Sequence, residues 1–379
     1  MKTKLFVVVI TALLFSCKTK TSDNHKKQTS SDKIHVAVFS GNGASSVCVT
    51  ETLEALKIDK DIEGKAVDGY DIAEGKLSDF DVIIFPGGSG SKEFNNLGKN
   101  GVDSIRNFVM KKGKGLIGIC AGAFMTMSTE GYPSLKLSAY KQLDRPHYNR
   151  GRGLVQFKLT DRGEKYFPEL KNHNLFLQYY DGPVMQLKDS TKKDTSELAK
   201  FVSDIHPDNF APAGLTPGKT FLYFQDARKG KIFGIAGHPE ATPGMRWMVP
   251  RMVRLVSNKK IVKYDTFWIR PQLNDKEIFF DKALRKQEKK LFYDLLSDSA
   301  ELQIAAMDTL YSYRSRPAVR WNIGLLRDKN PKIRKHAAYL LMETEYSAAL
   351  PDLQAALKSE TDQNVKKQIS RTISVLSER

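Results

Sequence analysis

The chain has 379 residues, a formal net charge of +17 at pH 7 and three cysteines. The length favours about two domains, and the absence of a CxxC pair or a Cys/His cluster argues against structural zinc. The positive charge is spread along the chain without a recognised nucleic-acid-binding motif, which argues against nucleic acid as a partner. Attraction to anionic lipid or cell-envelope polymers is the better electrostatic interpretation.

The N-terminus is typical of a secretory signal. Lys2 and Lys4 precede the apolar run from Leu5 to Phe15, which is too short to span a bilayer. The segment Leu14-Phe15-Ser16-Cys17 resembles a bacterial lipobox, so residues 1–17 are predicted to be a lipoprotein signal peptide with a lipidated Cys17. An ordinary signal, or a short anchor with an incidental cysteine, is the alternative. The polar, lysine-rich residues 18–33 predict a flexible spacer. We therefore expect an extracytoplasmic protein of the bacterial cell envelope, held to the membrane by a lipid anchor.

Residues 34–258 alternate between apolar strands and helices. Strands are predicted at residues 35–39, 81–85 and 115–119, and helices at residues 45–57 and 101–112. Each strand runs into a glycine-containing turn. This alternation predicts an α/β fold with a doubly wound, mostly parallel, flavodoxin-like sheet, in which ligands bind at the carboxyl ends of the strands.

Two of the strand ends carry residues suited to nucleophilic catalysis. Cys120 follows the apolar run 115–117 in a turn of small residues, as a strained nucleophile elbow requires. His238 and Glu240 follow a second apolar run, at residues 232–236. The imidazole would draw the thiol towards thiolate, and the carboxylate would orient the imidazole. The alternative for Cys120 is a small, buried apolar residue.

Cys48 is the third cysteine, once Cys17 is assigned to the lipid. It lies within a predicted helix. An oxidising compartment would permit a disulfide between Cys48 and Cys120, because both can lie near the same edge of the sheet. A free Cys120 in its nucleophile turn is the preferred interpretation, and the disulfide is the alternative.

Five motifs in this order carry a family resemblance. They are Ser40-Gly41-Asn42-Gly43-Ala44-Ser45, Phe85-Pro86-Gly87-Gly88, Gly118-Ile119-Cys120-Ala121-Gly122-Ala123, Tyr179-Tyr180-Asp181-Gly182-Pro183 and Gly237-His238-Pro239-Glu240. With them, residues 34–258 resemble the class I glutamine amidotransferase-like domain at the N-terminus of biotin-protein ligases.

The resemblance implies roles for individual residues. It implies Cys120 as nucleophile, His238 as base and Glu240 as the residue that orients the base. It also implies an oxyanion hole formed by the amides of Gly87, Gly88 and Ala121. The expected pocket is formed by Asn42, Phe124, Tyr180 and Asp181. No cofactor or metal is expected.

One departure from the family pattern bears on the substrate. Class I glutamine-hydrolysing enzymes have a glutamine where this chain has Phe124, so glutamine is disfavoured as substrate. We also expect no biotin ligation, which needs ATP and cytoplasmic acceptors. The sequence predicts a cysteine-dependent amide or ester hydrolase, or an acyl- or amidotransferase, acting on an unidentified small molecule or peptide. The alternative is a catalytically inactive amidotransferase-like binding or scaffold lipoprotein.

The composition changes after residue 258. Residues 259–296 are predicted to be a connector and a charged helix over 274–296. Residues 297–379 then contain a repeat spaced by 31 to 32 residues, in which Leu302, Ile333 and Val365 occupy equivalent positions. This spacing resembles a short array of HEAT-like helical repeats. We expect it to bind a protein partner or to pack against the first domain.

Overall fold

The structure, a computed structural model, describes residues 33–189 and 195–378. The predicted signal peptide, Cys17 and all of the spacer except Lys33 lie outside the described residues. Within the described part, no helix combines the length and the apolar character needed to cross a membrane. Contacts join Lys33–Arg379 into one unit, so the sheet and the helices that follow it are described together.

A single sheet of twelve strands runs through the described residues. Its strands are β1 (Ile34–Phe39), β2 (Ile62–Val67), β3 (Val82–Phe85), β4 (Gly115–Ile119), β5 (Tyr140–Gln142), β6 (Arg152–Leu159), β7 (Leu175–Tyr180), β8 (Met185–Leu187), β9 (Thr195–Phe201), β10 (Thr220–Ala227), β11 (Gly230–Ile235) and β12 (Ile278–Phe279). The main order is β12-β6-β9-β10-β11-β4-β3-β1-β2, with β7 beside β6 and β8 between β10 and β5.

The sheet has a parallel and an antiparallel part. The strands β2, β1, β3, β4 and β11 pair in parallel, which confirms the predicted α/β fold and its parallel sheet. The pairs beyond β11 are antiparallel, and the sequence analysis did not predict them. All residues of β3 and β4 are buried. Burial on both faces explains why these strands are continuous apolar runs.

Six α-helices belong to the described sheet region. They are α1 (Ser46–Leu56), α2 (Gly69–Ala73), α3 (Gly90–Met110), α4 (Ala121–Thr126), α5 (Asp161–Tyr166) and α6 (Met248–Val256). The helix predicted over residues 101–112 is longer in the structure, because α3 begins at Gly90. Its two parts meet at Gly98, which has φ 59° and ψ −177°. Glycine tolerates this left-handed conformation, and its helix-breaking propensity hid the first part of α3 from the sequence analysis.

The C-terminal part is helical, as predicted. Its helices are α7 (Lys282–Asp294), α8 (Ala300–Ser312), α9 (Arg316–Leu325), α10 (Pro331–Glu343), α11 (Leu350–Ser359) and α12 (Gln363–Ser377). The repeated segments lie on α8, α10 and α12, and Ile333 and Val365 are buried in a core of their own. Leu302, the equivalent residue of the first unit, is instead 43% exposed.

The predicted helix over residues 274–296 is shorter in the structure. Ile278 and Phe279 form β12, which pairs with Leu154 and Gly153 of β6. The helix α7 begins only at Lys282, because the carboxylate of Asp281 caps it by accepting the amide of Leu284 at 2.7 Å.

Polar contacts join the helical array to the sheet region. The buried carboxylate of Glu345 accepts the amide of Gly244 at 2.9 Å and pairs with Arg270 at 2.6 Å. Gln178 of β7 donates its side-chain amide to the carbonyl of Arg314 at 2.6 Å. The array therefore packs near the strand end that carries the candidate site.

Candidate active site

Cys120 occupies a strained turn between β4 and α4. Its φ of 52° and ψ of −104° are unusual for a residue with a side chain. A Cβ added to Gly118 would lie 2.4 Å from the carbonyl oxygen of Gly122, and one added to Gly122 would lie 2.0 Å from that of Phe85. The small residues of the motif thus permit the close approach of helix and strand that a nucleophile elbow needs.

His238 and Glu240 lie at the end of the neighbouring strand. Because β11 pairs in parallel with β4, the residues that follow both strands meet at one edge of the sheet. The buried Nδ1 of His238 lies 2.7 Å from Oε1 of Glu240. Burial opposes ionisation of Glu240, but the charge and hydrogen bond of His238 outweigh it and lower the pKa of this carboxyl. An ionised Glu240 accepts a hydrogen bond from Nδ1–H of His238, which leaves Nε2 as the nitrogen that can take up a proton.

The imidazole of His238 interacts with the thiols of both Cys120 and Cys48. Burial disfavours its charged form, but Cys120 and Glu240 outweigh burial and raise the pKa of His238 well above its ordinary value. The Sγ–H of Cys120 itself donates to the carbonyl oxygen of Tyr180 at 3.2 Å. Cys120 thus interacts with the His238–Glu240 pair, although the cysteine whose Sγ lies within 4.8 Å of both is Cys48.

Cys48 is a member of this cluster that the sequence analysis did not assign to the site. It lies in the first turn of α1 and is buried and free, as is Cys120. Burial raises the pKa of its thiol, but the hydrogen bond and charge of His238, together with Arg316, lower it overall. A cysteine in the first turn of a helix at the ligand-binding edge of a sheet was the available signal.

Arg316 reaches the cluster from the helical array. Its Nη2 donates to Sγ of Cys48 at 3.3 Å and lies 3.8 Å from Oε1 of Glu240. It also forms an ion pair with the buried Glu51 of α1. An arginine beside a proline at the start of a helix is normally solvated, so no local pattern predicts this contact.

Glu93 is a further buried acid next to the cluster. Neither of its carboxyl oxygens has a hydrogen-bond partner among the described residues. Burial raises the pKa of Glu93 well above its ordinary value, and Cys48 contributes in the same direction. Its burial without a hydrogen-bond partner therefore favours the neutral form of Glu93, because an ionised carboxylate would be very costly there.

The three residues predicted to form the oxyanion hole lie in two different places. Gly88 and Ala121 line the same cleft as Cys120, and no acceptor is bonded to their amides within the described residues. Gly87 instead faces the cluster, because a Cβ added to it would lie 2.6 Å from Cε1 of His238 and 2.8 Å from Sγ of Cys48. The backbone of Gly88 has φ 156°, which favours glycine.

A cleft of about 790 Å³ opens above Cys120. It is lined by Gly88, Ser89, Gly90, Ser91, Cys120, Ala121, Phe124, Tyr132, Gln142, Arg145, Pro146, Tyr148, Tyr180 and Asp181. Three of the predicted pocket residues, Phe124, Tyr180 and Asp181, therefore line it. Asn42, the fourth, is exposed and lies outside this lining.

One group of residues has donors suited to a metal. Potential ligand atoms of Cys48, His238 and Glu240 lie within 4.8 Å of one another, although their sequence spacing predicts no such site. The guanidinium of Arg316 contacts both Cys48 and Glu240. Its positive charge opposes a cation at that position, so the donor set fits a hydrogen-bonded cluster better than a metal site.

Several solved structures resemble the fold at low sequence identity. A putative ThuA-like protein from Parabacteroides merdae ATCC 43184 is 10% identical, with 62% of this chain and 99% of that chain covered and a TM-score of 0.42. A putative ThuA-like protein from Bacteroides uniformis ATCC 8492 is 14% identical, with coverage of 62% and 95% and a TM-score of 0.42. A beta-galactosidase from Rahnella sp. R3 is 11% identical, with coverage of 60% and 32% and a TM-score of 0.36. No curated protein matches the chain.

Two family models match separate parts of the sequence. Residues 34–134 match the family described as biotin-protein ligase, N terminal. Residues 289–374 match the HEAT repeats. The first match confirms the resemblance to biotin-protein ligases over the part of the chain that holds the first three motifs, and the second confirms the HEAT-like repeats. The chain thus combines a region similar to the amidotransferase-like N-terminal part of biotin-protein ligases with HEAT repeats that follow it.

Proposed function

We propose that this protein is a cysteine-dependent hydrolase or acyl- or amidotransferase that attacks an amide or ester carbonyl with Cys120. The observation that carries the proposal is the position of Cys120: a strained elbow that lines an open cleft. Behind it lies the buried His238–Glu240 pair at 2.7 Å. Cys48 shares the imidazole but lines no part of this cleft, so access favours Cys120 as the nucleophile.

The proposed reaction begins with transfer of the Cys120 proton to Nε2 of His238, for which the raised pKa of His238 is suited. The thiolate then forms a C–S bond to the substrate carbonyl carbon, whose oxygen becomes an oxyanion. His238 returns the proton to the leaving amine or alcohol as the old C–N or C–O bond breaks. Water or an amine then attacks the thioester, loses a proton to His238 and releases Cys120.

The remaining groups support this sequence of steps. Glu240 stabilises the imidazolium through its bond to Nδ1. The amides of Gly88 and Ala121 would donate to the oxyanion, and the loss of one such donor costs roughly 3 kcal/mol of transition-state stabilisation. Phe124 lines the cleft at the position where glutamine-hydrolysing relatives use glutamine, which supports a substrate other than glutamine.

Acyl-enzyme trapping tests the proposal. The chain is mixed with p-nitrophenyl acetate, quenched in acid and analysed by peptide mass spectrometry. We expect an acetyl group on the peptide that contains Cys120 and a burst of nitrophenolate. Cys120→Ser removes both, whereas Cys48→Ser retains the adduct on Cys120. Acetylation of Cys48 or of surface lysines alone would contradict the proposal.

We further propose that the enzyme works at the cell envelope, tethered through Cys17. The support is the lipobox-like segment 14–17 and the lysine-rich spacer. The test is incorporation of labelled palmitate in cells, which we expect for the wild-type chain and not for Cys17→Ser. Labelling of neither chain would contradict the anchor while leaving the chemistry at Cys120 untouched.

A binding or scaffold function is the second candidate, and one contact favours it. The thiol of Cys120 donates to the carbonyl of Tyr180 at 3.2 Å, so its hydrogen bond is to a neutral backbone acceptor rather than to a base. The helical repeats would then hold a protein partner. A chain that binds a partner equally well with Cys120→Ala, and that forms no acyl adduct, would support this candidate.

A further inference from the structure

A second cleft, of about 250 Å³, lies on the other side of Tyr180. The sheet region contributes Arg152 and His238 to it, and the helical array contributes Arg314, Arg316 and Arg320. No carboxylate lines this cleft within the described residues. Four arginines thus line one cavity where the two parts of the chain meet.

Two of these arginines are neutralised by acids outside the cleft. Arg152 pairs with the buried Glu288 of α7. Arg316 pairs with Glu51 of α1. Their positive charges are therefore balanced within the fold.

The other two arginines keep their charge uncompensated. Arg314 donates to neutral acceptors: the carbonyl oxygens of Tyr311, at 3.0 Å, and Leu273, and Oδ1 of Asn274 at 3.1 Å. Arg320 is exposed and has no ion pair or hydrogen bond within the described residues. A concave site with two uncompensated guanidinium groups and no acid in its lining favours an anion.

The cleft adjoins the reacting groups. Tyr180, whose side chain is 52% exposed, lines both this cleft and the one above Cys120. His238 lines the arginine cleft as well. A substrate whose carbonyl lies above Cys120 can therefore extend past Tyr180 towards Arg314 and Arg320.

We propose that this arginine cleft binds a carboxylate or phosphate group of the substrate, so that the helical array supplies half of the binding site. The inference rests on the proposed function and narrows its substrate class to anionic amides or esters. Arginine is suited to either group, because its planar fork of donors matches the oxygens of carboxylate and phosphate.

Anion binding is tested first without any reaction at sulfur. Melting temperatures of the full chain and of Cys120→Ser are measured with glutarate, with inorganic phosphate and with sodium chloride at equal ionic strength. We expect glutarate or phosphate to raise Tm by about 2 °C at ten times its Kd. A rise in Tm with glutarate identifies the bound group as a carboxylate, and a rise with inorganic phosphate identifies it as a phosphate. Arg320→Ala should remove the rise and Arg320→Lys should keep part of it.

Charge selectivity at Cys120 provides the second readout. Iodoacetate is an anion and iodoacetamide is neutral. The alkylation rate of Cys120 with iodoacetate, divided by its rate with iodoacetamide, therefore reports the electrostatic potential near the thiol. We expect Arg320→Ala to lower this ratio at least about threefold, because a nearby positive charge attracts the anionic reagent. Arg371→Ala, an exposed arginine on α12, removes the same charge away from the cleft and should leave the ratio unchanged.

The outcomes separate the two proposals. An unchanged ratio in Arg320→Ala, together with no Tm rise from either anion, overturns the anion site even if Cys120 forms acyl adducts. A rise in Tm that depends on Arg320 supports the anion site even if Cys120 forms no adduct, in which case only the proposed function fails.

Discussion

Nη2 of Arg316 lies 3.3 Å from Sγ of Cys48, although the two residues are 268 positions apart in the sequence. This contact links the helical array to the buried cluster around His238, because the same guanidinium pairs with Glu51 and lies 3.8 Å from Glu240. The HEAT repeats therefore contribute directly to the electrostatics of the candidate site. The array is therefore a structural partner of the sheet region.

The first prediction concerns the stability that Arg316 contributes. Arg316→Ala leaves Glu51 buried without its cation, and we expect the free energy of unfolding to fall by about 3 kcal/mol in urea denaturation. Arg327→Ala is the matched control, because it breaks an exposed pair with Asp352 and should cost less than about 1 kcal/mol. Adding Glu51→Gln to Arg316→Ala should restore part of the loss. Equal effects of Arg316→Ala and Arg327→Ala would contradict this account.

The second prediction is a pH dependence caused by Glu93. The pKa of Glu93 is raised in the folded chain. The contribution of Glu93 to the free energy of unfolding is fully present below the pKa of an unfolded glutamate, about 4.3. It is lost as the pH rises through the pKa of Glu93 in the folded chain. Glu93→Gln removes this titration, so its Tm relative to wild type should increase between pH 4.5 and pH 8.

Glu63→Gln is the control for that measurement. Glu63 is exposed in the folded chain, with its side chain 60% accessible. The difference in Tm between Glu63→Gln and the wild-type chain should stay nearly constant over the same pH range. A constant difference for Glu93→Gln as well would show that Glu93 is ionised in the folded chain, against the prediction.

The third prediction concerns the backbone at Gly88. A Cβ at this position would lie 2.1 Å from the carbonyl oxygen of Gly43, so Gly88→Ala must move the loop whose amide faces the cleft. We expect a lower Tm and loss of acylation at Cys120. Gly214→Ala also places a side chain at positive φ but has open space around it, and it should cost only about 1 kcal/mol. Normal acylation in Gly88→Ala would exclude this amide from the oxyanion hole.

The sequence contains the pattern from which we predict that Cys120 lies near His238 and Glu240. Both segments follow apolar parallel strands, and carboxyl ends of such strands share one edge of the sheet. In the structure Ile119 of β4 and Ile235 of β11 are paired neighbours, so the two segments follow adjacent strands. The glycines around Cys120 were also informative. A helix can approach a strand closely only where the side chains are small, so this packing is visible in the local sequence.

Other members of the cluster had no comparable signature. Arg316 reaches Cys48 only because the helical array packs against α1, and this packing depends on tertiary contacts rather than on local periodicity. Glu93 resembles any acid in the first turn of a helix, yet it is fully buried. The antiparallel half of the sheet was also missed, since its strands follow β4 through loops rather than through the regular helical crossovers that mark a parallel sheet.

The most direct test of the central claim is the alkylation rate of Cys120 at pH 6.5. Iodoacetamide is added to the native chain, to the urea-denatured chain and to native His238→Asn, and peptide mass spectrometry follows the peptides of Cys120 and Cys48 separately. If His238 activates Cys120, the native Cys120 peptide reacts at least about tenfold faster than in the denatured chain, and His238→Asn abolishes the difference. Cys48, which does not line the cleft above Cys120, reacts slowly in the native chain. A native Cys120 that reacts no faster than the denatured one, or equally fast without His238, would contradict the account.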